Sequence, residues 1–358
     1  MITTRKRLDP TIFDLPVEKM RAGWYTDAYF NHTREALRYD GRKPRVLMQV
    51  FQKSHSYLGG MDEALAILKL CADDYDALTV HALYDGDQIA PYETVLTIEG
   101  DYTTFAHLET VYLGTLARRT LITTNVVNVL RAANGKHVIF MPARHDHHRV
   151  QTGDGYAAYV AGQIVGAPVG VTTDEQASWW GGTGLGTVPH ALIASYDGDT
   201  VAAAKHFADW APADMNVTVL VDFENDSVRT ALDVAHALGP RLWGVRLDTS
   251  EALVDRSLWN ELGDFKPTGV NPRLVWKVRE ALDSAGFAAV RIVVSGGFTV
   301  DKIHEFEASG VPVDAYGVGS SLIRGSNDFT SDIVLTEGRP SAKFGRGLRP
   351  NPRLELVP

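Results

Sequence analysis

The amino-acid sequence predicts an α/β protein in which an irregular, TIM-like α/β barrel is joined to a smaller N-terminal α+β domain. From Lys136 onward, short apolar runs alternate with helical segments, a pattern typical of parallel sheets with helical crossovers. Before Lys136 the strand candidates are irregularly spaced. At 358 residues the chain can form both domains. We predict residues 1–115 for the first domain, with residues 330–358 returning to it, and residues 116–329 for the barrel.

The N-terminal part mixes strand and helix patterns. Residues 45–53 predict a strand, and residues 61–71 predict an amphipathic helix with acidic residues in its first turn. Apolar residues alternate over 94–98, as in a half-buried strand. Residues 107–133 predict one long helix, whereas YTDAYF (residues 25–30) is interpreted as a turn with an aromatic anchor.

The barrel strands are predicted as apolar runs that end in polar residues or glycine, and each is followed by a helical pattern. The predicted strands are residues 137–144, 217–222, 242–249, 292–294 and 314–316. The predicted helices are residues 156–167, a segment entered near Pro189, residues 227–239, residues 271–287 and a segment around residues 303–308. This alternation places the carboxyl ends of all these strands at one end of the barrel, where catalytic residues of such barrels lie.

Two glycine turns follow successive strands in residues 292–323. Glycine lets the backbone approach an anion closely, and the unpaired N–H groups at a helix start point toward it. One such turn would suggest only a tight connection, but two in tandem near the end of a βα series favour a phosphate site. The second turn is expected to lead into another helix. The residues of these turns are Ser295, Gly296, Gly297, Gly317, Gly319 and Ser320.

Charged side chains also follow the predicted strands, at Arg144, His145, Asp222, Arg246 and Asp248. Arg246 and Asp248 are two residues apart in an extended segment, so their side chains share a face. They could form a salt bridge across the barrel mouth. The alternative that we favour is a guanidinium that holds an anion beside a carboxylate for sugar hydroxyls or a metal.

Histidines stand out at two places. His190 lies where a helix begins, and a helix N-terminus disfavours imidazolium, so we expect a neutral and nucleophilic ring near pH 7. On this argument alone a hydrogen-bonded structural histidine remains the better interpretation. The second place is the run HDHH, with His145, His147 and His148. Adjacent residues rarely converge on one ion, so a polar loop rim is favoured over a metal site.

Composition excludes several classes of function. The net charge of −9 disfavours non-specific nucleic-acid binding. The single cysteine, Cys71, excludes an internal disulfide framework and fits a reducing compartment. The sequence contains no apolar run of membrane-spanning length, and its first residues lack the apolar core of a signal peptide. We therefore expect a soluble cytoplasmic protein with small-molecule substrates, no nucleic-acid partner and no membrane partner.

Four motifs together resemble the nicotinate phosphoribosyltransferases, in the compact form found in archaea and some bacteria. They are GTVPHAL (186–192), GVRLDT (244–249), VSGGFTVDKI (294–303) and VDAYGVGSSL (313–322). Weaker matches are residues 91–124, YTDAYF and GRPSAKFGR (338–346). Order and spacing agree over most of the chain.

The resemblance implies a type II phosphoribosyltransferase fold and active sites shared across a homodimer. It implies transfer of a phosphoribosyl group from phosphoribosyl pyrophosphate to nicotinate, which gives nicotinate mononucleotide and pyrophosphate in NAD biosynthesis. Mg²⁺ would bind with the pyrophosphate, and ATP hydrolysis would be coupled to the reaction through a phosphohistidine. The cysteine-rich knuckle of some relatives is missing from this sequence, so no structural zinc is expected.

The resemblance also implies a role for individual residues. The glycine turns, with Ser295 and Ser320, would hold the 5′-phosphate, and His190 would accept a phosphoryl group from ATP, which replaces the structural interpretation above. The remaining candidates are Arg246 and Arg144 for the nicotinate carboxylate, Asp248 for the ribose, Tyr29 of the neighbouring subunit for stacking on the base, Thr187 for substrate binding and Asp222 for support of Mg²⁺.

Two departures from the family pattern surround the base pocket. Arg144 is followed by His145 where a pair of arginines is usual, and residues 172–186 replace a segment that contains glycine and aspartate. A phosphoribosyltransferase for another pyridine base, quinolinate or nicotinamide, is therefore an alternative. A non-catalytic sensor of phosphoribosyl ligands on the same fold is a second alternative. A phosphosugar isomerase would explain the glycine turns but not the N-terminal domain.

Overall fold

A computed structural model describes residues 5–261 and 263–358, which form two compact units. The first unit contains the residues up to Thr124 together with Tyr156–Ile164 and Gly325–Pro358. The second contains Asn125–Gly155 and Val165–Arg324. Across the described ranges, no helix is long and apolar enough to cross a membrane.

The secondary-structure elements are numbered here in chain order. The strands are β1 (Arg45–Gln52), β2 (Ser56–Tyr57), β3 (Thr79–Ala82), β4 (Gln88–Ile89), β5 (Thr94–Asp101), β6 (His137–Phe140), β7 (Val169–Val171), β8 (Val217–Leu220), β9 (Leu242–Leu247), β10 (Arg291–Val294), β11 (Ala315–Val318), β12 (Phe329–Thr336), β13 (Arg339–Pro340) and β14 (Glu355–Leu356). The α-helices are α1 (Val17–Arg21), α2 (Ala28–Tyr39), α3 (Met61–Cys71), α4 (Glu109–Ala132), α5 (Gln151–Val165), α6 (Asp174–Ala177), α7 (His190–Ser195), α8 (Thr200–Trp210), α9 (Ser227–Leu238), α10 (Pro272–Ser284) and α11 (Val300–Ala308).

The first unit contains an antiparallel sheet with the strand order β13-β12-β1-β5-β3-β14. On β1, Val46, Met48 and Val50 alternate along one face and are at most 2% exposed, as expected of a strand that packs one face on a core. They share that core with α3, whose Leu65 and Leu68 are buried. Strands β12 and β14 come from the C-terminal tail and pair with β1 and β3 of this sheet.

A buried glutamate stands at the start of α4 in the first unit. Glu109 is 8% exposed, accepts a hydrogen bond from the Ser331 hydroxyl and accepts a longer one, at 3.4 Å, from the Tyr102 hydroxyl. Burial raises the pKa of Glu109 to about 7, and the two hydrogen bonds only partly oppose this. The carboxyl group therefore binds a proton more tightly in the folded protein than in the unfolded chain.

We predict that Glu109→Gln removes a pH dependence of stability. Because the folded-state pKa lies above the ordinary 4.5, the stabilisation is complete below about pH 4.5 and is lost as the pH rises through about 7. The shift corresponds to a loss of about 3 kcal/mol in the wild type. Chemical denaturation at pH 5 and pH 8 measures it. An equal loss in Glu109→Gln would contradict the prediction, and Glu18→Gln, which changes an exposed glutamate, is the control.

The second unit contains a parallel sheet with the strand order β7-β6-β11-β10-β9-β8. Residues 185–188 connect its two edge strands. The Leu185 N–H donates to the Val171 carbonyl of β7 at 2.7 Å, and the Val188 N–H donates to the Thr218 carbonyl of β8 at 2.9 Å. These bonds complete the predicted irregular α/β barrel. Amphipathic helices pack on one another around it, in the order α8, α9 and α10.

The sequence interpretation was wrong at two places. YTDAYF is not a simple turn, because α2 begins at Ala28 and runs to Tyr39. This helix is amphipathic, but it is polar on average and has no fully buried residue, so the sequence did not mark it as a helix. The second error is the helix predicted after Gly319, where a 3₁₀ turn of four residues, Ser320–Ile323, is found. The Asn125 side chain donates to the carbonyls of Leu322 and Arg324, both at 3.0 Å, and takes up acceptors that a longer helix would use.

Candidate functional site

A cavity of about 910 Å³ opens at the carboxyl ends of the barrel strands in the second unit. Most of the residues singled out in the sequence line it, although they come from loops that lie far apart along the chain. Those that do are Arg144, His145, His190, Arg246, Asp248, Ser295, Gly296, Gly297, Gly317, Gly319 and Ser320. The cavity is also lined by Glu251 and Arg324, which the sequence analysis did not single out.

The two glycine turns lie at the same end of neighbouring strands. Strands β10 and β11 pair in parallel, with Val294 opposite Tyr316, so the turns that follow them are adjacent. Gly296 and Gly297 have φ values of 87° and 69°, a backbone region that favours glycine. A methyl group on Gly317 would lie 2.5 Å from Met141 Sδ, so an alanine here would require the Met141 side chain to shift. The backbone therefore approaches the cavity closely at both turns.

Two carboxylates lie beside the first glycine turn. Asp248 Oδ1 accepts a hydrogen bond of 2.7 Å from the Ser295 hydroxyl, and Ser295 is 5% exposed. Glu251 lies three residues after Asp248, and its Oε1 would be 2.1 Å from a methyl group on Gly297. The side of the cavity next to this turn is thus acidic, whereas Arg144, His145 and Arg324 line other parts of it.

Arg246 contributes a half-buried cation to the cavity wall. Burial lowers the pKa of its guanidinium, although the nearby Asp248 and Asp222 oppose this. Within residues 5–261 and 263–358, the buried Nε of Arg246 has no hydrogen-bond partner and no ion pair joins Arg246 to Asp248. The salt bridge considered from the sequence is therefore not formed. A buried donor without a partner costs free energy unless a ligand supplies the acceptor. The unpaired Nε therefore indicates that an anionic ligand group binds at Arg246.

His190 begins α7 and is held by a carboxylate that the sequence analysis had assigned to Mg²⁺. Its Nε2 lies 3.1 Å from Asp222 Oδ1, and the Asp222 side chain is 7% exposed. The hydrogen bond to Asp222 raises the pKa of His190, which outweighs the effect of burial. The expectation that a helix N-terminus would keep this ring neutral was therefore wrong in sign. Helix α7 has only six residues, so its dipole opposes this rise in the His190 pKa only weakly.

We predict that Asp222→Asn lowers the pKa of His190. The aspartate charge and hydrogen bond stabilise the imidazolium, so their removal lets the neutral ring persist to lower pH. An NMR titration of the His190 ring protons should show a midpoint shifted to lower pH than in the wild type. An unchanged or higher midpoint would contradict the assignment. Asp226→Asn, four residues further on, is the matched control.

The remaining candidates lie elsewhere. Thr187 belongs to the barrel-closing segment and does not line the cavity. Tyr29 lies on α2 in the first unit, is 59% exposed and donates a 3.3 Å hydrogen bond to Asp27. His147 and His148 pack on each other with ring centroids 4.2 Å apart. In the described part of the chain, no group of three histidine, cysteine or acidic side chains is arranged to hold a metal ion.

The donor set of the cavity does fit an Mg²⁺ ion that arrives with a phosphorylated ligand. Mg²⁺ in such sites is held by one or two carboxylates, with substrate phosphates and water completing its coordination. Asp248 lines the cavity and can supply such a carboxylate. Asp222 instead contacts His190, so its part in metal binding stays a prediction.

Sequence and structure comparisons identify relatives of the whole chain. Residues 27–120 match the N-terminal domain of quinolinate phosphoribosyl transferase. The crystal structure of a nicotinate-nucleotide pyrophosphorylase from Pyrococcus furiosus is similar over 99% of this chain and 86% of that one, with 32% identity and a TM-score of 0.80. The chain belongs to the type II phosphoribosyltransferases. Both units of this family are thus present, the antiparallel-sheet unit and the irregular barrel.

Two further relatives of this type II phosphoribosyltransferase carry the name of a nicotinate enzyme. Nicotinate phosphoribosyltransferase pncB1 of Mycobacterium tuberculosis is 30% identical over 255 residues, which cover 70% of this chain. The alignment covers 51% of that relative, so the chain spans about half the length of the curated relatives it matches. Human nicotinic acid phosphoribosyltransferase shares the fold, with a TM-score of 0.60 and 17% identity over 88% of this chain and 76% of that one.

Proposed function

We propose that this chain is a nicotinate phosphoribosyltransferase of NAD biosynthesis. It would transfer the phosphoribosyl group of phosphoribosyl pyrophosphate to nicotinate and release pyrophosphate. The observation that carries this proposal is the half-buried guanidinium of Arg246, whose buried Nε has no partner among the described residues and which shares a cavity wall with two adjacent glycine turns. A cation for a carboxylate and backbone N–H groups for a phosphate are the two recognition elements that this pair of substrates requires.

The reaction needs alignment more than acid–base chemistry. The ring nitrogen of nicotinate donates its electron pair to the anomeric carbon, while the bond from that carbon to pyrophosphate breaks and its electrons leave with the pyrophosphate. Arg246 would fix the nicotinate carboxylate and thereby aim the ring nitrogen. Asp248, held by Ser295, would accept hydrogen bonds from the ribose hydroxyls and stabilise positive charge that develops on the sugar.

Mg²⁺ would neutralise the charge of the departing pyrophosphate. Asp248 is the residue that would hold it at the cavity. The two glycine turns would keep the 5′-phosphate in place during the transfer, since their N–H groups are directed by fixed backbone rather than by mobile side chains.

We also propose that ATP hydrolysis is coupled to the transfer through His190. Since Nε2 is engaged by Asp222, the free Nδ1 would attack the γ-phosphorus of ATP. The N–P bond forms as the bond to ADP breaks, and the phosphoryl group later passes to water. Asp222 would hold the neutral ring with its proton on Nε2 and its lone pair on Nδ1, and would stabilise the positive charge that the ring gains as the N–P bond forms. Tyr29 would complete the site from a second subunit of a cytoplasmic homodimer.

A second candidate base is quinolinate. The match of residues 27–120 to the quinolinate phosphoribosyl transferase N-terminal domain favours it. Quinolinate has two carboxylates, and Arg144 and Arg324 at the cavity are further cations that could bind the second one. Nicotinamide carries no charge, so it offers the Arg246 guanidinium a hydrogen-bond acceptor but no ion pair.

A base panel tests these assignments. Purified protein with phosphoribosyl pyrophosphate and Mg²⁺ is supplied with nicotinate, quinolinate or nicotinamide, with and without ATP, and mononucleotide formation is followed. We expect product with nicotinate, stimulation by ATP and no stimulation in His190→Ala. Product from quinolinate alone, with release of CO₂, would replace the first assignment by the second. Binding of the donor without turnover of any base would indicate a sensor.

A further inference from the structure

The glycine turn after β10 has opposite charges on its two sides. Gly296 and Gly297 form the turn that leads into α11, and we call them the glycine corner. Glu251, an exposed residue of the loop after β9, directs its carboxylate at Gly297, where Oε1 would lie 2.1 Å from an added methyl group. A carboxylate thus lies beside Gly297 in the same cavity where the proposed function places a phosphate.

Lys302, in the first turn of α11, supports the glycine corner from another direction. Its ammonium group donates a 3.3 Å hydrogen bond to the Gly296 carbonyl and lies over the Phe298 ring, 4.5 Å from its centroid. Phe298 is 2% exposed and packs on Phe306 and Tyr316, so the ring is a fixed platform. Burial lowers the pKa of Lys302, and Glu251 opposes this. Lys302 therefore both anchors the corner and adds a partly desolvated positive charge.

We propose that Glu251 and Lys302 are positioning residues that set the anion affinity of the glycine corner. Glu251 occupies the corner while it is free of ligand and is displaced by a phosphate group, and Lys302 holds the corner in its anion-binding shape. This inference deepens the proposed function and rests on it for the identity of the natural ligand, a sugar phosphate ester.

The two residues should act with opposite signs. A phosphate that enters the corner meets a like charge from Glu251, and like charges a few ångströms apart near a protein surface change affinity by about tenfold. Removal of the Glu251 charge should strengthen phosphate binding by about that factor. Loss of Lys302 removes an attractive charge and frees the Gly296 carbonyl, so binding should weaken by about tenfold.

The test measures direct binding of inorganic phosphate to the full chain by calorimetry or ³¹P NMR. We expect Glu251→Gln to bind phosphate about tenfold more tightly than the wild type, and Lys302→Met to bind it about tenfold more weakly. Lys302→Arg should restore most of the affinity. The controls are Glu280→Gln and Lys205→Met, which change the same charges at exposed sites on α10 and α8. Unchanged or weakened phosphate binding in Glu251→Gln would overturn the proposal. If the substitutions merely damaged the corner, phosphate binding would weaken in both Glu251→Gln and Lys302→Met.

A parallel measurement separates this inference from the proposed function. KM for phosphoribosyl pyrophosphate should fall in Glu251→Gln and rise in Lys302→Met by similar factors. If nicotinate is not a substrate but the phosphate affinities shift as described, the inference stands and the proposed function fails. If nicotinate is turned over while phosphate affinity is the same in Glu251→Gln and the wild type, the inference fails alone.

Discussion

Replacing Arg246 with alanine should reduce kcat/KM for nicotinate by about 100- to 1,000-fold. Removal of one partner from a buried charge pair costs about 2–5 kcal/mol, because the carboxylate of the base is left desolvated in the cavity without a cation. KM for phosphoribosyl pyrophosphate should change by much less. Steady-state kinetics with each substrate varied in turn provides the measurement. An equal loss for both substrates would move Arg246 out of the base pocket.

Arg144→Ala is the matched comparison for Arg246→Ala. Both arginines line the cavity, but Arg144 is exposed on a 3₁₀ turn and its charge is screened by water. We therefore expect a loss of tenfold or less in kcat/KM for nicotinate. If Arg144→Ala is the more damaging change, Arg144 rather than Arg246 binds the carboxylate. Thermal unfolding of both variants shows whether either loss reflects the fold rather than the site.

Replacing Gly297 with alanine should weaken binding of the phosphoribosyl donor by about 100-fold or more. At a φ of 69° an alanine costs about 1–2 kcal/mol of backbone strain, and its methyl group would lie 2.1 Å from Glu251 Oε1. The end of the exposed Glu251 side chain can move aside, but the methyl group would then stand between the corner and the phosphate. Direct binding of the donor in the absence of any base measures this effect. Donor affinity within threefold of the wild type would argue that the phosphate binds elsewhere.

Gly310 supplies the control for Gly297→Ala. It has a similar φ of 60°, and a methyl group there would meet no atom within 4 Å. Gly310→Ala should therefore lower stability by about 1–2 kcal/mol, like any alanine in this backbone region, without changing donor affinity. The difference between the two variants isolates the effect of the methyl group at the corner from that of backbone strain.

The period of the hydrophobic residues and the positions of glycine and proline made most of the barrel predictable. The β-branched run at residues 292–294 and the glycines that follow it indicated both a buried strand and a close approach of the backbone to a ligand. The same signals located Arg246 and Asp248 on one strand end. These inferences succeed because they depend on local chemistry and on a rule shared by parallel sheets, in which all carboxyl ends meet at one edge.

The missing parts of the site depend on contacts between distant segments. His190 and Asp222 are 32 residues apart, and they meet because the residue pair Val188 and Val219 forms a parallel bridge. No local pattern reports that proximity, so the sign of the His190 pKa shift was misjudged. Glu251 was missed for a different reason. It lies in an irregular loop, where neither helical nor strand period tells which way a side chain points.

The antiparallel sheet has a consequence for biosynthesis of the protein. Val46 on β1 pairs with Thr336 on β12, whereas the barrel strands all fall between His137 and Val318. During translation the barrel can therefore acquire its sheet while the ribosome still holds the segment that β1 requires. One long edge of β1 stays unpaired in the nascent chain until β12 emerges, and an unpaired strand edge is prone to association with other chains. Chaperone demand should accordingly be concentrated in the interval before residue 336 emerges.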